Sequence, residues 1–387
     1  MYKRIAGKFL VSCLMVCVMV IAISGCAKEE KVHKIGAIFA ATGPAAGLGV
    51  PEKNTAEMLM EQINAAGGIG KAKLEIVILD TATDATTART RVEKLIADDV
   101  AAIVGPSTSG ESMSLLDLVK NAQVPLVSCA AAVTIVEPVS ERKWVFKTPQ
   151  SDLLMVQVIA DHLNSQNITK VGIITATGGF GRSGKAVLED VLPKAGIEIV
   201  QAEEFAETDP DVLVQLTKIK DAEPEAVVCW SIHGGGATVT KDMKVNMAMD
   251  IPLIMSHGVA NMDYISLSGE AANGVLFPAG KLTVANDLPD SDPQKKVLLA
   301  YAKDYEAKFG KAPNTFGGHA WDAIKIVAAA MEKVGDDKAK IRDEIENTKN
   351  FVGTGGVFNF SADDHNGLTK QGVIMVKIVD GKWTLLK

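Results

Sequence analysis

Short apolar runs alternate with amphipathic stretches along most of this 387-residue chain. The runs at 74–80 and 100–105 have the length and composition of buried strands. The stretch between them places Val92, Leu95 and Ile96 on one face of a helix. Strands that alternate with helices form a parallel sheet with helices on both of its faces. The alternation therefore predicts an α/β fold.

This alternation occurs twice. It weakens over 144–152 and then restarts with a second series of strands and helices. We therefore expect two Rossmann-like lobes that face each other across a cleft, with chain crossings near 148, 279 and 357. The predicted first lobe comprises residues 34–148 plus 280–356, and the predicted second lobe comprises 149–279 plus 357–387. Sites in open parallel sheets lie beyond the carboxyl ends of the strands, so function is expected in the strand-to-helix loops.

The first 26 residues resemble a bacterial lipoprotein signal. Three basic residues precede an apolar stretch over 9–24, which is shorter than the ~20 residues of a membrane-spanning helix. The stretch ends at Ile23-Ser24-Gly25-Cys26, which is similar to the lipobox, where the cysteine is lipidated. We expect residues 1–25 to be removed, Cys26 to carry a lipid and residues 26–33 to form a tether. The protein would then be exported and anchored at the outer face of the cell membrane, or face the periplasm. The alternative is an uncleaved anchor.

Composition and spacing argue against several classes of function. The formal net charge is −7, and an acidic chain is a poor partner for nucleic acid. The six histidines show no metal-ligand spacing, and no catalytic set can be assembled. Cys129 and Cys229 each end an apolar run, so two buried free thiols are favoured over a disulfide. We therefore expect no metal, no cofactor and no enzymatic activity.

Two glycine-containing loops each follow a strand and open a helix. Residues 179–184 (GFGRSG) fit G-x-G-x-x-G, with Glu203 and Glu204 about 20 residues further on, as in dinucleotide sites. An exported protein meets little nicotinamide cofactor, so a tight turn that needs glycine is the preferred interpretation. Residues 105–110 (GPSTSG) combine three hydroxyls with a helix N-terminus, which suits an anion. Simple helix capping is the alternative for this second loop.

Six segments, taken in order, resemble the solute-binding proteins of ABC importers in the branched-chain amino acid (Leu/Ile/Val-binding) group. They are KIGAIFAATGPAAGLG, GGIGKAKLEIVILDTATD, VAAIVGPSTSG, VPLVSCAAA, GGFGRSG and FGGHAWDA. The resemblance covers nearly all of 34–387. It implies the type I periplasmic-binding fold, in which two lobes joined by three crossovers close on a ligand by hinge motion. It also implies delivery of the ligand to ABC permease subunits, and we expect a monomer.

The resemblance also implies a set of ligand-binding residues. Ser109 matches a serine that binds the ligand carboxylate, Ala130 supplies a backbone position, and Ala132 replaces a threonine. The glutamate that pairs with the ligand ammonium is replaced by His257. The expected first-lobe wall is Ser107, Thr108, Ser109, Ala130, Ala131 and Ala132, the opposing wall is Phe180, Trp230, His233 and His257, and Leu48 flanks the entrance. Core packing is favoured for Phe277 and Phe316, with support of the hinge or pocket as the alternative, and His319 is expected to pack or to cap its helix.

The missing glutamate changes the expected ligand. A desolvated ammonium without a carboxylate loses a charge-assisted hydrogen bond of roughly 1.5–3 kcal/mol. The sequence therefore predicts a small anionic solute with a carboxylate and no α-ammonium, such as an aromatic or oxo acid. In one alternative, Glu111 or Asp263 restores ammonium binding, and the ligand is a branched-chain or other amino acid. A ligand-sensing module and an exported α/β enzyme are the remaining alternatives.

Overall fold

The computed structural model describes residues 31–386, and its first lobe is built on a five-stranded parallel sheet. The strands are β1 (Val32–Phe39), β2 (Lys73–Asp80), β3 (Ala102–Val104), β4 (Leu126–Ser128) and β5 (Val145–Lys147). Their order in the sheet is β2-β1-β3-β4-β5, and every pair is parallel. The loops after β1, β3 and β4 therefore open at one edge of the sheet, where the sequence places its candidate residues.

The second lobe is built on a seven-stranded sheet in the order β14-β13-β10-β9-β8-β6-β7. Its strands are β6 (Lys170–Ala176), β7 (Glu198–Phe205), β8 (Ala226–Trp230), β9 (Leu253–Met255), β10 (Leu276–Gly280), β13 (Val373–Val379) and β14 (Lys382–Leu385). Strands β6 to β10 are parallel, whereas β13 pairs antiparallel with β10 and with β14. The β13–β14 hairpin turns at Asp380 and Gly381.

Eleven α-helices connect and cover these sheets within residues 31–386. They are α1 (Ala46–Ala65), α2 (Ala85–Ala97), α3 (Ser109–Ala122), α4 (Asp152–Ser165), α5 (Gly179–Lys194), α6 (Leu213–Asp221), α7 (His233–Lys241), α8 (Met262–Ser268), α9 (Lys295–Phe309), α10 (Thr315–Val334) and α11 (Lys338–Glu346). The α/β prediction is therefore confirmed. None of these described helices is long and apolar enough to cross a membrane.

The third crossing between the lobes comes later than the sequence indicates. The short antiparallel pair β11 (Phe351–Val352) and β12 (Val357–Phe358) precedes it. Phe358, Phe360 and Leu368 pack with the first-lobe core, so residues 357–368 do not belong to the second lobe as expected. An alternating apolar pattern predicts which side chains are buried but does not show which core receives them.

Each lobe has apolar cores on both faces of its sheet, as a sheet covered by helices requires. Phe277 is one of the residues of the second-lobe core. Cys129 and Cys229 are both buried and free, which confirms the preference for two thiols over a disulfide. The predicted lipidation site, Cys26, lies outside the described residues.

Candidate functional site

A cavity lies between the lobes, at the carboxyl ends of their strands. Both lobes contribute to its wall, and most of the lining is apolar. The lining residues are Leu48, Ser107, Thr108, Ser109, Cys129, Ala130, Ala131, Pro149, Phe180, Ile232, His257, Gly258, Phe316 and His319. Eight of the eleven residues that the sequence proposes for ligand binding are in this set.

Three proposed residues do not line the cavity. Trp230 is fully buried behind the wall, where its ring centroid lies 5.5 Å from that of Phe180 and 5.7 Å from that of His257. Ala132 is also fully buried, and its N–H donates to Ser109 Oγ at 3.3 Å. His233 lies outside the cavity, against Gly47 in α1. Trp230 and Ala132 therefore support lining residues, and His233 belongs to the contact between the lobes.

Sequence reasoning missed several lining residues, of which Phe316 and His319 are the most informative. The sequence favours core packing over a pocket role for Phe316, and packing or capping for His319, yet both line the cavity. They are three residues apart in the first turns of α10, whose N-cap Asn314 accepts a hydrogen bond from Gly317 N–H. That spacing places them on one helix face. It does not show that this face is directed at the cavity.

The hydroxyls of the 105–110 loop have separate roles. Thr108 caps α3, and its side chain forms a capping box with Glu111, so the capping interpretation holds for this residue. Ser107 Oγ accepts a hydrogen bond from Ala40 N–H at 2.9 Å and is also hydrogen-bonded to the buried Glu52. Ser109 Oγ accepts from Ala132 N–H. Because accepting uses only a lone pair, the Ser109 hydroxyl hydrogen is available to a ligand carboxylate.

Two imidazoles, one from each lobe, add polar atoms to the cavity lining. His257 is buried with neither ring nitrogen hydrogen-bonded, and His319 is buried with Nδ1 unpaired. Burial lowers the pKa of each to about 3, so both rings are uncharged at neutral pH. A neutral imidazole offers one donor and one acceptor. Buried polar atoms normally have partners, so these nitrogens are suited to polar atoms of a ligand or of water.

Among the described residues that line the cavity, none is Asp or Glu. Glu111 is engaged in the α3 capping box, and Asp263 lies beside Gly47, so neither supplies the acid considered in the sequence analysis. Glu52 lies behind Ser107, where burial raises the pKa of its carboxyl well above the usual range. No cluster of three or more potential metal ligands is present within residues 31–386.

The two lobes touch at two places beside the cavity. A Cβ atom added to Gly179, the first residue of α5, would lie 2.7 Å from Gly110 N and 2.8 Å from Gly110 Cα in α3. In a second contact beside the cavity, Gly47 lies against His233 and Asp263. The helix N-termini thus meet through two glycines, and the lobes are closed on each other.

A family model described as "Periplasmic binding protein" matches residues 33–382. The chain belongs to this family. It is 26% identical to Leu/Ile/Val-binding protein homolog 3 of Brucella melitensis over 352 residues, which is 90% of this chain and 92% of that protein. The chain therefore has the type I periplasmic-binding fold. This fold accounts for the alternation of strands and helices and for the six segments described in the sequence.

Solved structures of other periplasmic binding proteins superpose closely. An extracellular ligand-binding receptor from Rhodopseudomonas palustris has a TM-score of 0.86 and 30% identity, covering 92% of this chain and 99% of its own. The branched-chain amino acid transporter substrate binding protein LivJ from Streptococcus pneumoniae, in complex with isoleucine, has a TM-score of 0.81 and 25% identity, covering 91% and 98%. These two proteins are described as a ligand-binding receptor and a substrate binding protein, and family members of this kind are exported.

The periplasmic binding protein fold also explains the glycine motif at 179–184. Gly179 allows the close approach to Gly110, and a Cβ on Gly181 would lie 1.8 Å from the carbonyl oxygen of Ala176. A Cβ on Gly184 would lie 2.2 Å from the indole of Trp230. Each glycine of the motif is therefore required by packing. The N-terminus of α5 faces the first lobe, whereas in a dinucleotide site it would face a pyrophosphate.

Proposed function

We propose that this protein is the substrate-binding component of an ABC importer and that it captures a small, largely apolar solute bearing a carboxylate. The cavity between the two touching lobes carries this proposal. Its lining is mostly apolar with a few polar side chains, as is typical of small-molecule sites. Ser109 and the N-terminus of α3 supply donors for the carboxylate, and Leu48, Phe180 and Phe316 surround the apolar part.

The names of the relatives favour a branched-chain amino acid as the solute. The Brucella melitensis relative is a Leu/Ile/Val-binding protein homolog, and the Streptococcus pneumoniae structure holds isoleucine. No relative named here is described as binding an aromatic or oxo acid, so the amino acid alternative fits the comparisons better than the ligand expected from the sequence. The transporter named in one of these descriptions also favours import over a sensing module.

A second candidate, a carboxylate without an ammonium, is favoured by one observation on the cavity itself. None of the described lining residues carries a negative charge. An ammonium would have to be held by backbone carbonyls and by the neutral rings of His257 and His319. An oxo or aromatic acid makes no such demand, because an imidazole N–H can donate to a ketone or carboxylate oxygen.

Isothermal titration of residues 27–387 with three matched compounds tests the proposal. Leucine, 4-methyl-2-oxopentanoate and leucinamide share one apolar side chain, but leucinamide lacks the carboxylate and the oxo acid lacks the ammonium. We expect at least one of the carboxylates to bind and leucinamide not to bind. Tighter binding of leucine supports the amino acid, and tighter binding of the oxo acid, with benzoate as a further probe, supports the second candidate. Binding of leucinamide alone, or of none of the compounds, would contradict the proposed ligand class.

Export and anchoring complete the proposal. A lipid on Cys26 and the 26–33 tether would keep the two lobes near the permease subunits to which the solute is delivered. We retain a monomer and the lobe boundaries predicted from the sequence, apart from the later third crossing. Mass spectrometry of the mature N-terminal peptide is expected to show a diacylglyceryl cysteine at position 26. An unmodified Cys26 inside a longer peptide would contradict the anchor.

A further inference from the structure

The first chain crossing between the lobes contains a lysine with no access to solvent. Lys147 is the last residue of β5 and is 0% exposed. Its Nζ donates a hydrogen bond to the carbonyl oxygen of Pro149 at 2.9 Å. Among residues 31–386, no carboxylate oxygen lies within 4.0 Å of this Nζ, so the ammonium has no ion-pair partner. A buried ammonium without a counter-charge is unfavourable, so this residue requires an explanation.

The cavity is close to this ammonium. Pro149, whose carbonyl binds Nζ, is itself a lining residue. The positive charge of Lys147 contributes to the lowered pKa of both His257 and His319, which also line the cavity. The lysine therefore raises the electrostatic potential at the wall formed by these three residues, without reaching the cavity itself.

Two of the acids that face Lys147, Asp152 and Asp364, are occupied by other hydrogen bonds. The titratable groups that act on the lysine or feel its charge are Asp152, Asp364, Glu137, His257 and His319. Asp152 accepts hydrogen bonds from Val133 N–H and Leu153 N–H, both at 3.0 Å, and from the Ser183 hydroxyl. Asp364 Oδ1 accepts from two backbone N–H groups at 2.8 Å. These acids lower the energy of the ammonium only from a distance.

We propose that the carboxylate of the bound solute is the missing counter-charge of Lys147, which acts across the Pro149 wall and makes the cavity select solutes with a net negative charge. Lys147 is thus a specificity-determining residue that does not touch the ligand. The inference rests on the proposed function, because it requires a carboxylate in the cavity. The inference also goes beyond the proposed function, because Lys147, which is not a lining residue, would make the affinity for anions higher than the affinity for zwitterions.

Proton uptake on binding follows from this arrangement. Burial lowers the pKa of Lys147 to about 7, so the empty protein carries a partly deprotonated lysine at neutral pH. An anion in the cavity favours the ammonium form and raises that pKa again. Binding should therefore take up a fraction of a proton near pH 7, roughly half at most. The affinity for an anion should decrease as the pH rises above about 7, because protonating the lysine then becomes costly.

Isothermal titration in buffers of different ionisation enthalpy measures this uptake directly. We expect 4-methyl-2-oxopentanoate to bind with proton uptake at pH 7, and leucine to bind with less uptake, because its ammonium offsets the carboxylate. Binding of the oxo acid without proton uptake, or binding of leucine alone, would overturn the role of Lys147 and leave the proposed function standing. If neither compound binds, the proposed function fails instead, so the two failures are distinguishable.

The substitution Lys147→Met tests whether Lys147 is the group that takes up the proton on binding. Methionine has a similar length and no charge, and replacing a buried charge by an apolar side chain is often tolerated. We expect the affinity for the oxo acid to fall on the order of tenfold and the proton uptake to disappear. Lys325→Met, at a half-buried lysine that packs over Trp321 outside the cavity lining, is the matched control and should change neither value. Persistent uptake in Lys147→Met would assign the proton to another group, such as His257 or His319, and overturn the inference.

Discussion

Replacing Gly179 by alanine is expected to weaken solute binding by roughly 5- to 150-fold. The added Cβ would lie 2.7 Å from Gly110 N, so the lobes could close only with a shift of backbone at one of the two helix N-termini. Overpacking of this kind costs about 1–3 kcal/mol, and every 1.4 kcal/mol is a factor of ten in affinity. Titration calorimetry gives the affinity, and small-angle scattering with and without solute reports the closure.

Two neighbouring substitutions are matched controls for this effect. A Cβ on Gly178 would meet no atom within 4 Å, and a Cβ on Gly110 would come no closer than 3.9 Å to Gly179 N. Gly178→Ala and Gly110→Ala should therefore bind and close like the wild type. Alanine is also a better helix former than glycine, so the stability of the second lobe should not decrease in Gly179→Ala. Wild-type affinity in Gly179→Ala would show that the closed contact described here does not form around the bound solute.

Replacing Asp322 by alanine is expected to lower the free energy of unfolding by about 3–5 kcal/mol. This α10 carboxylate is fully buried and accepts hydrogen bonds from Thr354 N–H at 2.6 Å, Gly355 N–H at 2.7 Å and the Thr354 hydroxyl at 3.0 Å. Alanine would leave two buried N–H groups without an acceptor. Urea unfolding measures the loss. Glu344→Ala, which removes a more exposed ion pair with Lys333, should change stability by at most about 1 kcal/mol.

The pH dependence of stability gives a second measure of Asp322. Burial raises its pKa in the folded protein to about 7, above the value of an unfolded chain. Between about pH 4 and pH 7 the folded state therefore binds more protons at this site than the unfolded state, and the free energy of unfolding decreases as the pH rises. The Asp322→Ala variant should lack this part of the slope. An unchanged slope would contradict the raised pKa, whatever the loss of stability.

Asp322 also affects the crossings between the lobes. Asp322 accepts hydrogen bonds from the loop at 353–355. Gln150, which directly follows the first crossing, donates a hydrogen bond from its Nε2 to Gly355 O in this loop at 2.6 Å. Gln294 Nε2 donates to Gly353 O and Thr354 O at 3.1 and 3.0 Å. Loss of the carboxylate would therefore loosen a segment that several crossings share, so solute affinity should fall together with stability.

The fold and much of the cavity lining could be predicted because they depend on local patterns. Strand and helix periodicity predicts the two sheets, and the position of a loop after a strand places residues such as Ser109 and His257 at the cleft. The contribution of α10 was missed because the rotation of a helix against the cleft is set by packing with distant residues. For the same reason, Phe358 and Phe360 were assigned to the wrong lobe.

Lys147 could not be found in the sequence. A lysine at the end of a short strand is typically exposed, and nothing in its neighbourhood along the chain indicates burial. Its charge acts on His257 and His319, which follow it by more than one hundred residues and lie near it only in the folded protein. Long-range electrostatics of this kind depends on tertiary structure alone.

The contact between Gly110 and Gly179 has a consequence for the timing of transport. Because the lobes touch at Gly110 and Gly179, opening of the hinge widens the route by which a captured solute leaves. Its residence time is then governed by the frequency of opening as well as by the strength of its hydrogen bonds. A permease that separated the two helix N-termini would accelerate release of the solute without replacing any contact between the protein and the solute.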